Sequence, residues 1–123
     1  MNYKDLTVLV VEDNQATMFI MEQILTQLGV GRIITAMTWN EVQSKIEGQK
    51  VDGAFLDLVL QHGSGLDVAR TMRALKVPVI FTSGVTDEYN LKQMYELGFV
   101  ITKPVSMQAI NRGLLYFSSL KQE

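Results

Sequence analysis

Gly53-Ala54-Phe55-Leu56-Asp57 decides the fold: a short apolar run that ends on a carboxylate. It has three counterparts. Val8-Leu9-Val10-Val11 ends on the acidic pair Glu12-Asp13, Val79-Ile80-Phe81-Thr82 on Ser83, and Phe99-Val100-Ile101-Thr102 on Lys103. Short runs without polar alternation fit strands buried on both faces, as in a parallel sheet covered by helices. Parallel strands bring their carboxyl ends to one edge, so residues distant in sequence converge there.

Segments of helical period separate these runs. Met21, Ile24, Leu25 and Leu28 recur at i, i+3, i+4 and i+7, and Gly29 follows as a C-terminal cap. Arg32–Ala36 reads as a second strand. Thr38-Trp39-Asn40-Glu41 has the form of a capping box and opens a helix to about Glu47, anchored by Val42 and Ile46. His62-Gly63-Ser64-Gly65 reads as a loop, and Val68, Met72 and Leu75 mark a helical face that ends before Pro78. A further helix is expected over roughly Asp87–Leu97, closed by Gly98. Met107, Ile110, Leu114 and Phe117 line the last one, in which Gly113 costs about 1 kcal/mol relative to alanine. The pattern is a doubly wound α/β domain, (βα)5, over residues 1–123. Right-handed crossovers favour the flavodoxin-like strand order 2-1-3-4-5, which sets the first and third strands side by side.

Composition narrows the function. A chain of 123 residues with 47% hydrophobic and 20% charged content is globular and fits one domain. A formal charge of −2 with scattered Lys and Arg offers no basic stripe, so direct nucleic-acid binding is not expected. No apolar run approaches the roughly 18 residues that span a bilayer, and Met1-Asn2-Tyr3-Lys4-Asp5 lacks the pattern of a signal peptide. No membrane role and a cytoplasmic location are therefore expected, in keeping with the lack of cysteine.

Glu12, Asp13 and Asp57 form an all-oxygen set that suits Mg²⁺, with Mn²⁺ possible, over zinc. Asp57 is also a candidate nucleophile, because carboxylates accept phosphoryl groups. Lys103 offsets the charge of such a group, and Ser83 and the backbone N–H beside Gly84 donate hydrogen bonds to it. Blander roles compete. Strand-end acids often cap the next helix; His62 suits a solvated loop, Trp39 partly exposed packing, and the seven methionines the core.

Val10-Val11-Glu12-Asp13-Asn14, Phe55-Leu56-Asp57-Leu58, Gly63-Ser64-Gly65-Leu66, Pro78 to Gly84 and Thr102-Lys103-Pro104 together resemble, over essentially the whole chain, the receiver domain of two-component response regulators. The resemblance implies that Asp57 accepts a phosphoryl group from a phosphohistidine on a sensor histidine kinase or phosphotransfer protein. It further implies that Asp13, Asp57 and the carbonyl of Val59 ligate Mg²⁺, with Glu12 acting through water. Lys103 then contacts the phosphoryl group, and Ser83 swings towards it. A cis Lys103–Pro104 bond is also implied, although the sequence itself leaves both isomers open.

Two positions depart from the pattern. Val100 stands where the family usually has an aromatic, and Phe99 has the wrong parity to replace it. Gln61 stands where proline is common. Val59 and Val85, flanking the path of an attacking water, cannot orient it, so slow self-dephosphorylation is expected. A haloacid-dehalogenase-type phosphohydrolase is disfavoured because Val59 replaces the acid it needs two residues after the nucleophile. A degenerate receiver that binds partners without phosphorylation is opposed by the intact acidic set and favoured only by Val100. The receiver reading makes the chain no turnover enzyme. Its partners would be a phosphodonor and a downstream target or fused effector. A homodimer could form through the fourth helix, fifth strand and fifth helix, where Tyr89, Tyr95 and Tyr116 lie and suit surface contacts or core packing equally.

Overall fold

The computed structural model describes residues 3–57, 59–60, 63–84 and 88–121. Five parallel strands, β1 (Thr7–Val11), β2 (Arg32–Ala36), β3 (Gly53–Asp57), β4 (Val79–Ser83) and β5 (Phe99–Thr102), form one sheet in the order β2-β1-β3-β4-β5. The helices are α1 (Gln15–Gln27), α2 (Trp39–Ile46), α3 (Gly65–Ala74), α4 (Glu88–Leu97) and α5 (Met107–Lys121). The expected order and all five βα units are present.

Strand parity sorts the core into two layers. Val8, Val10, Phe55 and Ile80 pack against Met21 and Leu25 of α1 and Ile110, Leu114 and Phe117 of α5. Leu9, Val11, Ala54, Leu56 and Phe81 pack against Val42 of α2, Val68 and Met72 of α3, and Met94 of α4. Two glycines permit this closeness. A Cβ on Gly53 would lie 2.3 Å from the Phe117 ring, and one on Gly113 would lie 2.8 Å from Ile80 Cδ1. The helical cost of Gly113 is thus offset by seating α5 directly on β4 and the Phe55 ring. At the far end of the sheet, the buried Asp52 carboxylate accepts from Thr7 N at 2.8 Å and from Lys121 Nζ at 3.3 Å, fastening the last turn of α5.

Helix ends follow local chemistry. The Thr38 hydroxyl accepts from Glu41 N at 3.2 Å and opens α2, as expected. At the end of α1, Val30 N donates to Leu25 O and Gly29 N to Thr26 O, with Gly29 at φ 86°. This paired closure needs a left-handed residue, which glycine adopts without a Cβ clash.

Four expectations need correction. Gly63–Ser64 is not loop but pairs antiparallel with Val59–Leu60, and Gly65 already belongs to α3; His62 lies outside the described residues. Leu75 is 57% exposed rather than core: its N–H still donates to Thr71 O, but it lies in the turn that follows Ala74, where no buried neighbour among the described residues covers it. Met107 is exposed because it begins α5 ahead of the sheet contact, so the methionines are not uniformly core; Met18, Met21, Met72 and Met94 are. β5 is an edge strand, not a fully buried one, and its Phe99 is exposed.

Candidate functional site

The carboxyl edge of the sheet assembles the site through parity. Val10, Phe55 and Ile101 belong to the α1/α5 layer. Glu12, Asp57 and Lys103 each lie two residues further on and so share that side. Lys103 Nζ donates to Glu12 Oε1 at 2.9 Å and lies 3.4 Å from Asp57 Oδ1. Carboxylate oxygens of Glu12, Asp13 and Asp57 lie within 4.8 Å of one another. Glu12 and Asp57 are buried, while Asp13 is half-buried.

Ser83 is buried one place beyond Thr82, the register partner of Asp57. Its carbonyl accepts from Lys103 N at 2.9 Å, so the two strand ends are tied before their side chains act. The Lys103–Pro104 bond is cis. Beside Ser83, Gly84 has open space where a Cβ would stand. Val59 begins the short strand just past Asp57. Gln61 and Val85 lie outside the described residues.

Charge is poorly balanced here. Burial pushes the Glu12 carboxyl up to about 7, reinforced by the neighbouring Asp57 carboxylate and only partly opposed by Lys103. Burial alone would lower the pKa of Lys103, but the hydrogen bond from its ammonium to Glu12 and the charges of Asp57 and Glu12 outweigh this and raise it. One oxygen of Glu12, Oε2, is buried without a hydrogen-bond partner. An orphaned carboxylate oxygen among three clustered acids fits a hard divalent cation, which takes oxygen ligands and relieves mutual repulsion.

The capping alternative fails for both aspartates. Asn14, not Asp13, caps α1, accepting from Thr17 N at 2.9 Å. Asp57 leads into the short antiparallel pair, and α3 starts only at Gly65. Sequence reasoning missed the Glu12–Lys103 ion pair; the shared parity of positions 12, 57 and 103 was the signal that could have found it. It anticipated the two faces of β5 correctly. Val100 packs into the α2/α3/α4 layer, whereas Phe99, on the opposite face, meets the Tyr116 ring edge to face at 4.7 Å. Tyr95 is exposed, and Tyr116 is half-buried, packed on Phe99 and against the α1/α5 core layer.

The model of the response regulator receiver domain matches residues 8–114. The chain belongs to this family. Among curated proteins, this receiver is 29% identical to the alkaline phosphatase synthesis transcriptional regulatory protein PhoP of Bacillus subtilis (strain 168), across 85% of this chain and 45% of that protein. It therefore spans less than half the length of that relative. The fold matches a CheY-like receiver domain from Methylobacillus flagellatus at a TM-score of 0.79 and 24% identity, covering 91% of this chain and 98% of that one. It also matches the receiver domain of a sensor histidine kinase from Pseudomonas aeruginosa PAO1, at a TM-score of 0.79 and 23% identity, over 91% and 96% of the two chains. That structure has a magnesium ion coordinated in its active-site cleft. No helix among the described residues is long and apolar enough to cross a membrane.

Proposed function

We propose that Asp57 is the phosphoacceptor of this receiver and that Glu12, Asp13 and Asp57, with the carbonyl of Val59, hold a Mg²⁺ ion (or Mn²⁺). The observation that carries this is the Lys103 ammonium lying within reach of Asp57 Oδ1 beside the three-carboxylate cluster. In the proposed reaction an Asp57 oxygen attacks phosphorus, the P–N bond of a donor phosphohistidine breaks, and its electron pair stays on the imidazole nitrogen. The ion supplies neutralisation of negative charge on the phosphoryl oxygens. Lys103 would exchange part of its contact with Glu12 for the incoming group, and Ser83 would donate its hydroxyl to the same group.

The phosphoryl group stays on the chain's own side chain, so the protein acts as a signalling module rather than a turnover enzyme. Partners under this reading are a sensor histidine kinase or phosphotransfer protein and a downstream target or effector domain, in the cytoplasm. The exposed Tyr95 and Phe99 and half-buried Tyr116 support an output or dimer face on α4, β5 and α5. Acetyl phosphate with Mg²⁺ tests the core claim by intact-mass measurement. A single added phosphoryl group, absent in Asp57→Asn, is expected. Steady phosphate release would point to a hydrolase, and no reaction to a phosphorylation-independent receiver.

A further inference from the structure

We propose that the groove between α2 and α3 binds a small aromatic anion. The groove encloses about 860 Å³, within the usual range for small-molecule sites, and shares no residue with the carboxylate cluster. Trp39, Gln43 and Ile46 line it from α2 and Thr71 from α3; Leu75 follows α3, and Val51 and Val77 lie at the edge of the core. Trp39 is only half-buried and Leu75 is 57% exposed, so large apolar surface faces solvent inside a concavity.

Charge and an aromatic ring select the occupant. Lys50 and Lys76 are exposed on the groove, and neither ammonium has a partner among the described residues; Glu47 is the only acid in the lining. Two cations against one anion favour a negatively charged ligand. Trp39 offers a ring for aromatic stacking.

The backbone at Lys76 adds an independent reason. α3 closes as α1 does, with Val77 N donating to Met72 O and Lys76 N to Arg73 O, but Lys76 rather than glycine takes the left-handed position, at φ 62°. The same chain uses Gly29 for that geometry in α1. A strained lysine there is explained if its ammonium is used at the groove.

Anilinonaphthalene sulfonate serves as the probe, since it combines an aromatic body and an anion. Trp39 is the only tryptophan, so its fluorescence reports occupancy directly. One-to-one saturable quenching of Trp39 is expected. Binding should weaken about tenfold in the Lys50→Glu/Lys76→Glu double variant and about tenfold for the neutral analogue N-phenylnaphthylamine. Lys76→Gly should weaken binding while melting no lower than wild type, which separates ligand contact from folding. Tyr116→Ala, in the α5 layer, should leave the affinity unchanged. Absence of binding, binding that leaves Trp39 unquenched, equal affinity for the neutral analogue, or insensitivity to the double variant would overturn the proposal.

Discussion

Replacing Glu12 with glutamine should make the metal-free protein more stable from neutral pH upwards and leave its stability unchanged in acid. In the folded protein burial raises the Glu12 carboxyl from 4.5 to about 7. Folding therefore favours the protonated acid, and stability falls as pH rises from 4.5 towards 7, then levels off. At about 1.4 kcal/mol per pH unit, the full penalty is about 3 kcal/mol. A glutamine side chain keeps the shape of the acid and cannot ionise. In EDTA, urea unfolding followed by circular dichroism should give coincident stabilities below pH 4.5 and a gap of about 3 kcal/mol in favour of Glu12→Gln near pH 8. Taking the difference between the two proteins cancels the titrating groups that do not interact with Glu12. Excess Mg²⁺ should narrow the gap, because an ion that binds only the folded state stabilises it by mass action. A gap independent of pH, or a glutamine variant less stable than wild type near pH 8, would refute the reasoning.

Gly53→Ala pushes a methyl group to 2.3 Å from the Phe117 ring and should cost about 1–3 kcal/mol in chemical denaturation, with most of the loss removed by a compensating Phe117→Leu change. Asp52→Ala orphans the Thr7 amide and leaves Lys121 Nζ only its contact with the Asp5 carbonyl; a loss of about 1–3 kcal/mol and faster hydrogen exchange in the last turn of α5 are expected. If Val59 limits self-dephosphorylation, Val59→Asn, able to hold a water, should shorten the phosphoryl lifetime about tenfold, as one added hydrogen bond in the transition state would. Wild-type decay within seconds in Mg²⁺ buffer would refute the slow-decay premise.

The strand cores and their polar ends were legible because burial on both faces leaves uninterrupted apolar runs, as at Val8–Val11 and Ala54–Leu56. Helix ends were less so. Leu75 kept the helical period, and its N–H still donates to Thr71 O, yet it ended outside the core, since the period carries no record of which neighbours cover the end of a helix. Gly63–Ser64 looked like turn chemistry and formed a short antiparallel pair, because pairing depends on the partner strand. The Glu12–Lys103 contact was hidden because the two residues are 91 positions apart and meet only after four strands stack in order.

By itself the sequence determined the α/β architecture, the family and which side chains sit at the strand ends, since apolar period and residue type are local properties. Tertiary structure alone decided that Glu12, not just Asp57, takes the lysine, that Glu12 resists ionisation, and that α2 and α3 leave a groove. Those outcomes depend on distance and desolvation, which arise only when separate segments share one volume.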